Sequence, residues 1–83
     1  MDTILIEVFL PTTGDRFEVS VPRAMNSLLA AHLTAKALAP FSRNTYQPSH
    51  SSFFAWKEDG KALNMLESME RSGVINGSQL LLI

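Results

Sequence analysis

Few residues in this chain could do chemistry. There is no cysteine, which removes thiol nucleophiles, thiolate metal sites and disulfides together and fits a reducing compartment. The two histidines are His32 and His50. Neither has acids near it at ligand spacing, so no metal site is expected. Ser49, Ser51 and Ser52 flank His50. A serine nucleophile needs a base and an orienting acid, and no GxSxG-type turn surrounds these serines. His32 falls on or near an apolar helical stripe, where a packed, hydrogen-bonded ring is expected. His50, among polar residues, reads as solvated. The expectation is a protein with no catalytic residue, metal or cofactor.

Charge points the same way. Seven Lys and Arg against eight Asp and Glu give a net charge of -1. Arg16, Arg23, Arg43, Lys57, Lys61 and Arg71 are scattered among acids, which argues against nucleic acid and against acidic membrane surfaces. No apolar run reaches the length of a membrane span, so insertion is not expected. The opening residues MDTILIEVFLP carry Asp2 and Glu7 and no basic leader, so they do not read as a signal peptide. With 83 residues, 46% of them hydrophobic, the chain predicts one domain over 1–83 and a cytoplasmic protein.

The elements that must position any site follow from periodicity. Ala24 to Ala39 is rich in Ala and Leu and free of Gly and Pro, so it predicts the one full helix. Met25, Leu28, Leu29, His32 and Leu33 recur at three and four and are expected to form its buried stripe. Arg23, Asn26, Ser27, Ala30, Thr34 and Ala37 are expected opposite. Thr3 to Leu10 predicts a strand with Ile4, Ile6, Val8 and Leu10 inward and Leu5, Glu7 and Phe9 outward. Gly14 permits a turn into Arg16–Val21, with Phe17, Val19 and Val21 inward. Pro40 to Ser52 is a long polar break containing Phe41 and Tyr46. Ser52 to Lys57 predicts a strand with Phe54 and Trp56 inward and Phe53 and Ala55 outward. Asp59-Gly60 is a hairpin turn, and Ala62-Leu63 a short return strand. Asn64 can cap a short helical turn that Gly73 ends. Asn76-Gly77 turns into a last strand, Gln79 to Ile83. That strand is apolar on both faces and is therefore expected in the middle of the sheet.

This order is that of the β-grasp, or ubiquitin-like, fold: an α+β domain with a mixed five-stranded sheet and one main helix packed on one face. Leu5, Phe9, Phe53, Ala55, Leu81 and Ile83 then share the uncovered side. An apolar exposed face is an interaction site as a rule. Cover by the long loop, with Phe41 or Tyr46 as a lid, and a homodimer through the same face are the competing readings. Conjugation or sulfur carriage would need a flexible tail ending in Gly-Gly, whereas Leu82-Ile83 lies in the strand.

The run Leu66 to Ile83, LESMERSGVINGSQLLLI, resembles the closing pattern of ubiquitin-like domains. Gly73-Val74-Ile75-Asn76-Gly77 with Leu80 and Leu82 is similar to the bacterial YukD/EsaB family, small ubiquitin-like proteins of type VII (ESX) secretion. Val19-Ser20-Val21-Pro22 and Asp59-Gly60-Lys61-Ala62-Leu63 fit the same order. The resemblance implies a non-catalytic accessory or regulatory protein that acts by binding a protein partner, a type VII secretion component. The other classes compatible with the fold are a small non-catalytic subunit of a multicomponent enzyme, such as an oxygenase, and a generic interaction module.

Overall fold

The computed structural model describes residues 2–41 and 52–83. The expectations for Arg43, Tyr46, Ser49, His50 and Ser51 therefore lie outside the described residues. Two long strands, β1 (Thr3–Leu10) and β2 (Asp15–Pro22), form an antiparallel hairpin. Gly14 makes its turn at φ +78°. Then come α1 (Ser27–Leu38), a 3-10 turn over Ala39–Phe41, β3 (Phe54–Trp56) and β4 (Gln79–Leu82). The sheet order is β2-β1-β4-β3. β4 runs parallel to β1 and antiparallel to β3, so it is central, as its two apolar faces require.

Among the described residues the sheet has four strands rather than five. Ala62 makes only an isolated bridge to Ala55. The reason is local: Gly60 turns at φ +75°, Trp56 N donates to Lys61 O and Leu63 N to Phe54 O, and the chain then leaves the ladder at Asn64. The Asn64 side chain accepts from Leu66 N at 3.0 Å, which bends the backbone away.

One inner face fills the core. Ile4, Ile6, Val8 and Leu10 from β1, Leu80 and Leu82 from β4 and Phe54 from β3 are at most 2% exposed. Phe17 and Val19, on the edge strand β2, are only partly buried.

α1 meets this face with the opposite side from the one its leucines predict. Its buried residues are Ser27, Ala30, Ala31, Thr34, Ala35 and Leu38. Leu28, Leu29 and Leu33 are 38%, 48% and 45% exposed. The cause is volume. The sheet supplies large aliphatic side chains, so close packing needs small ones on the facing helix. Ala30, Ala31 and Ala35 let the helix approach, and four-carbon side chains there would hold it off.

The helix start is fixed by its cap. The Asn26 side chain accepts from Leu28 N at 2.9 Å and Leu29 N at 3.3 Å, satisfying two of the free donors. Ser27 ties this end to the later segment, its hydroxyl donating to Asn64 O and its N–H to Glu67 O, both at 2.9 Å. Ser68 caps a single turn through Arg71 N at 3.1 Å. Gly73, at φ +95°, closes that turn: its N–H donates to Glu70 O and Val74 N donates to Met69 O. This paired geometry is the glycine stop expected from the sequence.

Candidate functional site

The side of the sheet opposite α1 carries every residue expected to make contact. Strand register arranges them in rows. Arg16 of β2, Phe9 of β1, Leu81 of β4 and Ala55 of β3 are cross-strand neighbours. Beside them Phe53 and Ile83 exchange two main-chain hydrogen bonds of 3.0 Å. Phe9, Phe53, Leu81 and Ile83 therefore lie together. Ile83 is 50% exposed, and Phe9, Phe53 and Leu81 are intermediate.

Two of the six expected residues differ from that grouping. Ala55 is 0% exposed. With a single methyl among larger neighbours and a bridge to Ala62, it forms the floor of the face and offers no surface. Leu5, at 46% exposed, is on the same side but set apart. It is four residues from Phe9 along β1, about 13 Å. Its own neighbours are Ser20 in β2 and the turn at Asn76-Gly77. Asn76 Oδ1 accepts from Leu5 N at 2.9 Å, and Gly77 N donates to Leu5 O at 2.8 Å.

A polar row separates Leu5 from the others. Glu18, Glu7 and Gln79 are aligned across β2, β1 and β4. Gln79 Nε2 donates to Glu7 Oε2 at 2.8 Å, and Arg16 Nη1 lies 3.5 Å from Glu7 Oε1. Lys57 continues the row, its N–H donating to Gln79 O, and its Nζ sits 4.8 Å from the centre of the Phe9 ring. The ammonium over the ring covers part of Phe9 and gains modest cation–π attraction at this exposed site. The face is thus an apolar cluster, a hydrogen-bonded polar belt and one separate leucine. Such an arrangement can seat an apolar side chain and fix its orientation through the belt. Among the described residues it holds no nucleophile paired with a base.

Among the described residues no group of three His, Asp or Glu could hold a metal ion, and no helix is long and apolar enough to cross a membrane. His32 is half-buried on α1. Phe41, one of the two aromatic residues suggested as a lid, is 71% exposed, so its ring is not packed over the face.

Sequence reasoning missed the leucines of the helix. Leu28, Leu29 and Leu33, expected in the core, form a second apolar surface instead. Next to them a groove of about 190 Å³ runs between β2 and α1, lined by Val19, Val21, Met25, Leu33 and Ala37 among others. The spacing of Ser27, Ala30, Ala31, Thr34 and Ala35 carried the signal, since it is a continuous small-residue stripe.

No protein-family profile matches the chain, and no curated protein sequence matches it. Solved structures do. The ubiquitin-like domain of Plasmodium falciparum Dsk2 is similar at a TM-score of 0.71 and 22% identity, covering 96% of this chain and 95% of that one. The ubiquitin-like domain of the Mycobacterium tuberculosis type VII secretion protein ECCD1 gives 0.67 and 17%, covering 100% and 99%. The EccD5 ubiquitin-like domain from Mycobacterium xenopi gives 0.73 and 11%, covering 100% and 94%. The chain has the ubiquitin-like β-grasp fold, one helix on a mixed sheet. Identities this low establish the fold alone.

Proposed function

We propose that this chain is a non-catalytic, ubiquitin-like accessory protein of a bacterial type VII secretion system, of the YukD/EsaB kind, working in the cytoplasm through protein contacts. The observation that carries the reading is the outer face, where Phe9, Phe53, Leu81 and Ile83 cluster beside an ordered polar belt. An apolar patch bordered by fixed charges suits a protein partner better than a small molecule. The type VII assignment draws its support from the Gly73 to Gly77 pattern and from two secretion-system domains that share the fold. The partner expected is a component of that machinery, offering an apolar side chain to the Leu81 and Ile83 patch and hydrogen-bond donors to Glu7 and Glu18.

The test is photo-crosslinking in bacteria that carry the system. A benzophenone amino acid replaces Leu5 or Leu81 in one set of strains and Leu28, on the far side, in another. Adducts with a type VII component from the outer-face positions support the proposal. Adducts from Leu28 alone place the contact on the helix and overturn it.

A further inference from the structure

The edge of β2 has a property that neither the fold nor the outer face explains. Among the described residues β2 is an outer strand of the sheet and pairs only with β1. Arg23 N donates to Asp2 O at 2.7 Å, just past the Thr3 to Pro22 pair. Hydrogen-bonded pairs alternate along an antiparallel ladder, so Val21, Val19 and Phe17 turn their main chains toward β1. Arg16, Glu18 and Ser20 turn theirs outward, and among the described residues nothing takes those bonds. Pro22 belongs to the outward set but has no N–H to give. An open edge of this kind is a template for another strand.

Side chains decide which strand. A second copy could pair antiparallel through its own β2 about a two-fold axis. An axis through Arg16 sets the two Arg16 side chains opposite each other. An axis through Glu18 does the same with two glutamates. Like charges directly opposite destabilise a ladder. Axes through Val19 or Ser20 bring Pro22 into the ladder, where it lacks a donor. An axis through Phe17 avoids every one of these faults. It pairs Arg16 of each copy with Glu18 of the other, twice, and sets the two Phe17 rings side by side on the helix face. Arg16 and Glu18 are both exposed.

We infer that β2 is a self-pairing edge, and that two copies of this chain join antiparallel about Phe17 into one continuous sheet. The charges that blunt the edge toward other registers select this one. The two outer faces then lie side by side, giving a partner two equivalent docking patches. The interface is narrow, four main-chain hydrogen bonds and two charge pairs, so the dimer is weak and concentration-dependent.

Sedimentation from micromolar to about millimolar protein tests this, with charge variants as the register probe. Glu18→Arg alone leaves the Glu7 to Arg16 contact in place and sets arginine against arginine at both symmetry-related positions. It weakens the dimer about twenty-five-fold, each of the two pairs changing by a factor of about five. Arg16→Glu alone weakens it similarly. An equimolar mixture of the two variants restores association, because each chain then offers the charge the other lacks. A second reading comes from cysteines placed in this cysteine-free chain: Phe17→Cys forms an intermolecular disulfide under mild oxidation and Ser20→Cys does not. A chain that stays monomeric at about millimolar concentration overturns the inference. So does a dimer indifferent to both charge variants, a Ser20→Cys crosslink in place of the one at Phe17, or an edge that crosslinks to a different protein's strand and never to a second copy.

Discussion

The helix orientation makes the sharpest prediction about stability. The perturbation is a pair of substitutions two residues apart on α1, Ala31→Leu and Leu29→Glu. Ala31 is 0% exposed beneath a sheet face filled by Ile, Val, Leu and Phe side chains. Three added carbons have nowhere to go, and overpacking of this kind costs about 1–3 kcal/mol. For a domain of this size that lowers Tm by roughly 5 to 20 °C. Leu29 is 48% exposed, so its burial contributes only about half of a full leucine, about 1 kcal/mol. A glutamate at that position sits in the first turn, which holds no acid, three residues after the Asn26 cap. It gains about 0.5 kcal/mol from the free N–H groups there, so the net cost is about 0.5 kcal/mol. Thermal and urea unfolding followed by far-ultraviolet circular dichroism measures both. If Leu29→Glu unfolds the protein while Ala31→Leu is tolerated, the helix buries its leucine stripe and the packing described here is wrong.

Other consequences are smaller and local. Asn26→Ala removes the acceptor for two helical N–H groups and is expected to cost about 1 kcal/mol, read as a shift in urea midpoint with unchanged slope. Gly73→Ala is expected to cost about 1 kcal/mol or somewhat more. The cause is the positive φ alone, since the nearest atom to the new methyl would be Trp56 Cζ2 at 3.9 Å; Gly73→Asn, which tolerates that backbone better, is expected to lose less. Lys57→Ala uncovers the Phe9 ring and should cost under about 1 kcal/mol, measured by the same unfolding curves.

Much of the architecture was legible in the sequence because it rests on short-range signals. Alternation in Thr3–Leu10 and Arg16–Val21 gave the hairpin and its inward residues. The two apolar faces of Gln79–Leu82 required a central strand. Gly60, Gly73 and Gly77 marked turns that the backbone makes at positive φ. What failed was the face of the helix. Residue type ranks leucine above alanine for burial, but helix-on-sheet packing is decided by the combined volume of both partners. Ile4, Ile6, Leu80 and Phe54 had already filled the space that Leu29 and Leu33 would need. The outer face was legible as a set of outward residues and not as a pattern. Its division into an apolar cluster and a separate Leu5 depends on the parallel β1–β4 register, which brings Gln79 beside Glu7. No local signal in the chain specifies that pairing. The loss of the fifth strand has the same origin, since Asn64 turns the chain out of the ladder through a bond to Leu66 N.

The most direct measurement of the docking account is secretion in cells carrying Leu81→Asp or Leu5→Asp in place of the native chain. Leu5 is 46% exposed, so its variant is expected to unfold within about 1 kcal/mol of the parent. Leu81 is partly buried on a central strand, so its variant is expected to lose about 1–3 kcal/mol while keeping the native circular dichroism spectrum. On the proposed type VII role, Leu81→Asp, which puts a carboxylate into the apolar cluster, is expected to abolish export of that system's substrates. Leu5→Asp, across the polar belt, is expected to reduce it. Normal export by a folded Leu81→Asp protein would contradict the claim that this face docks the partner.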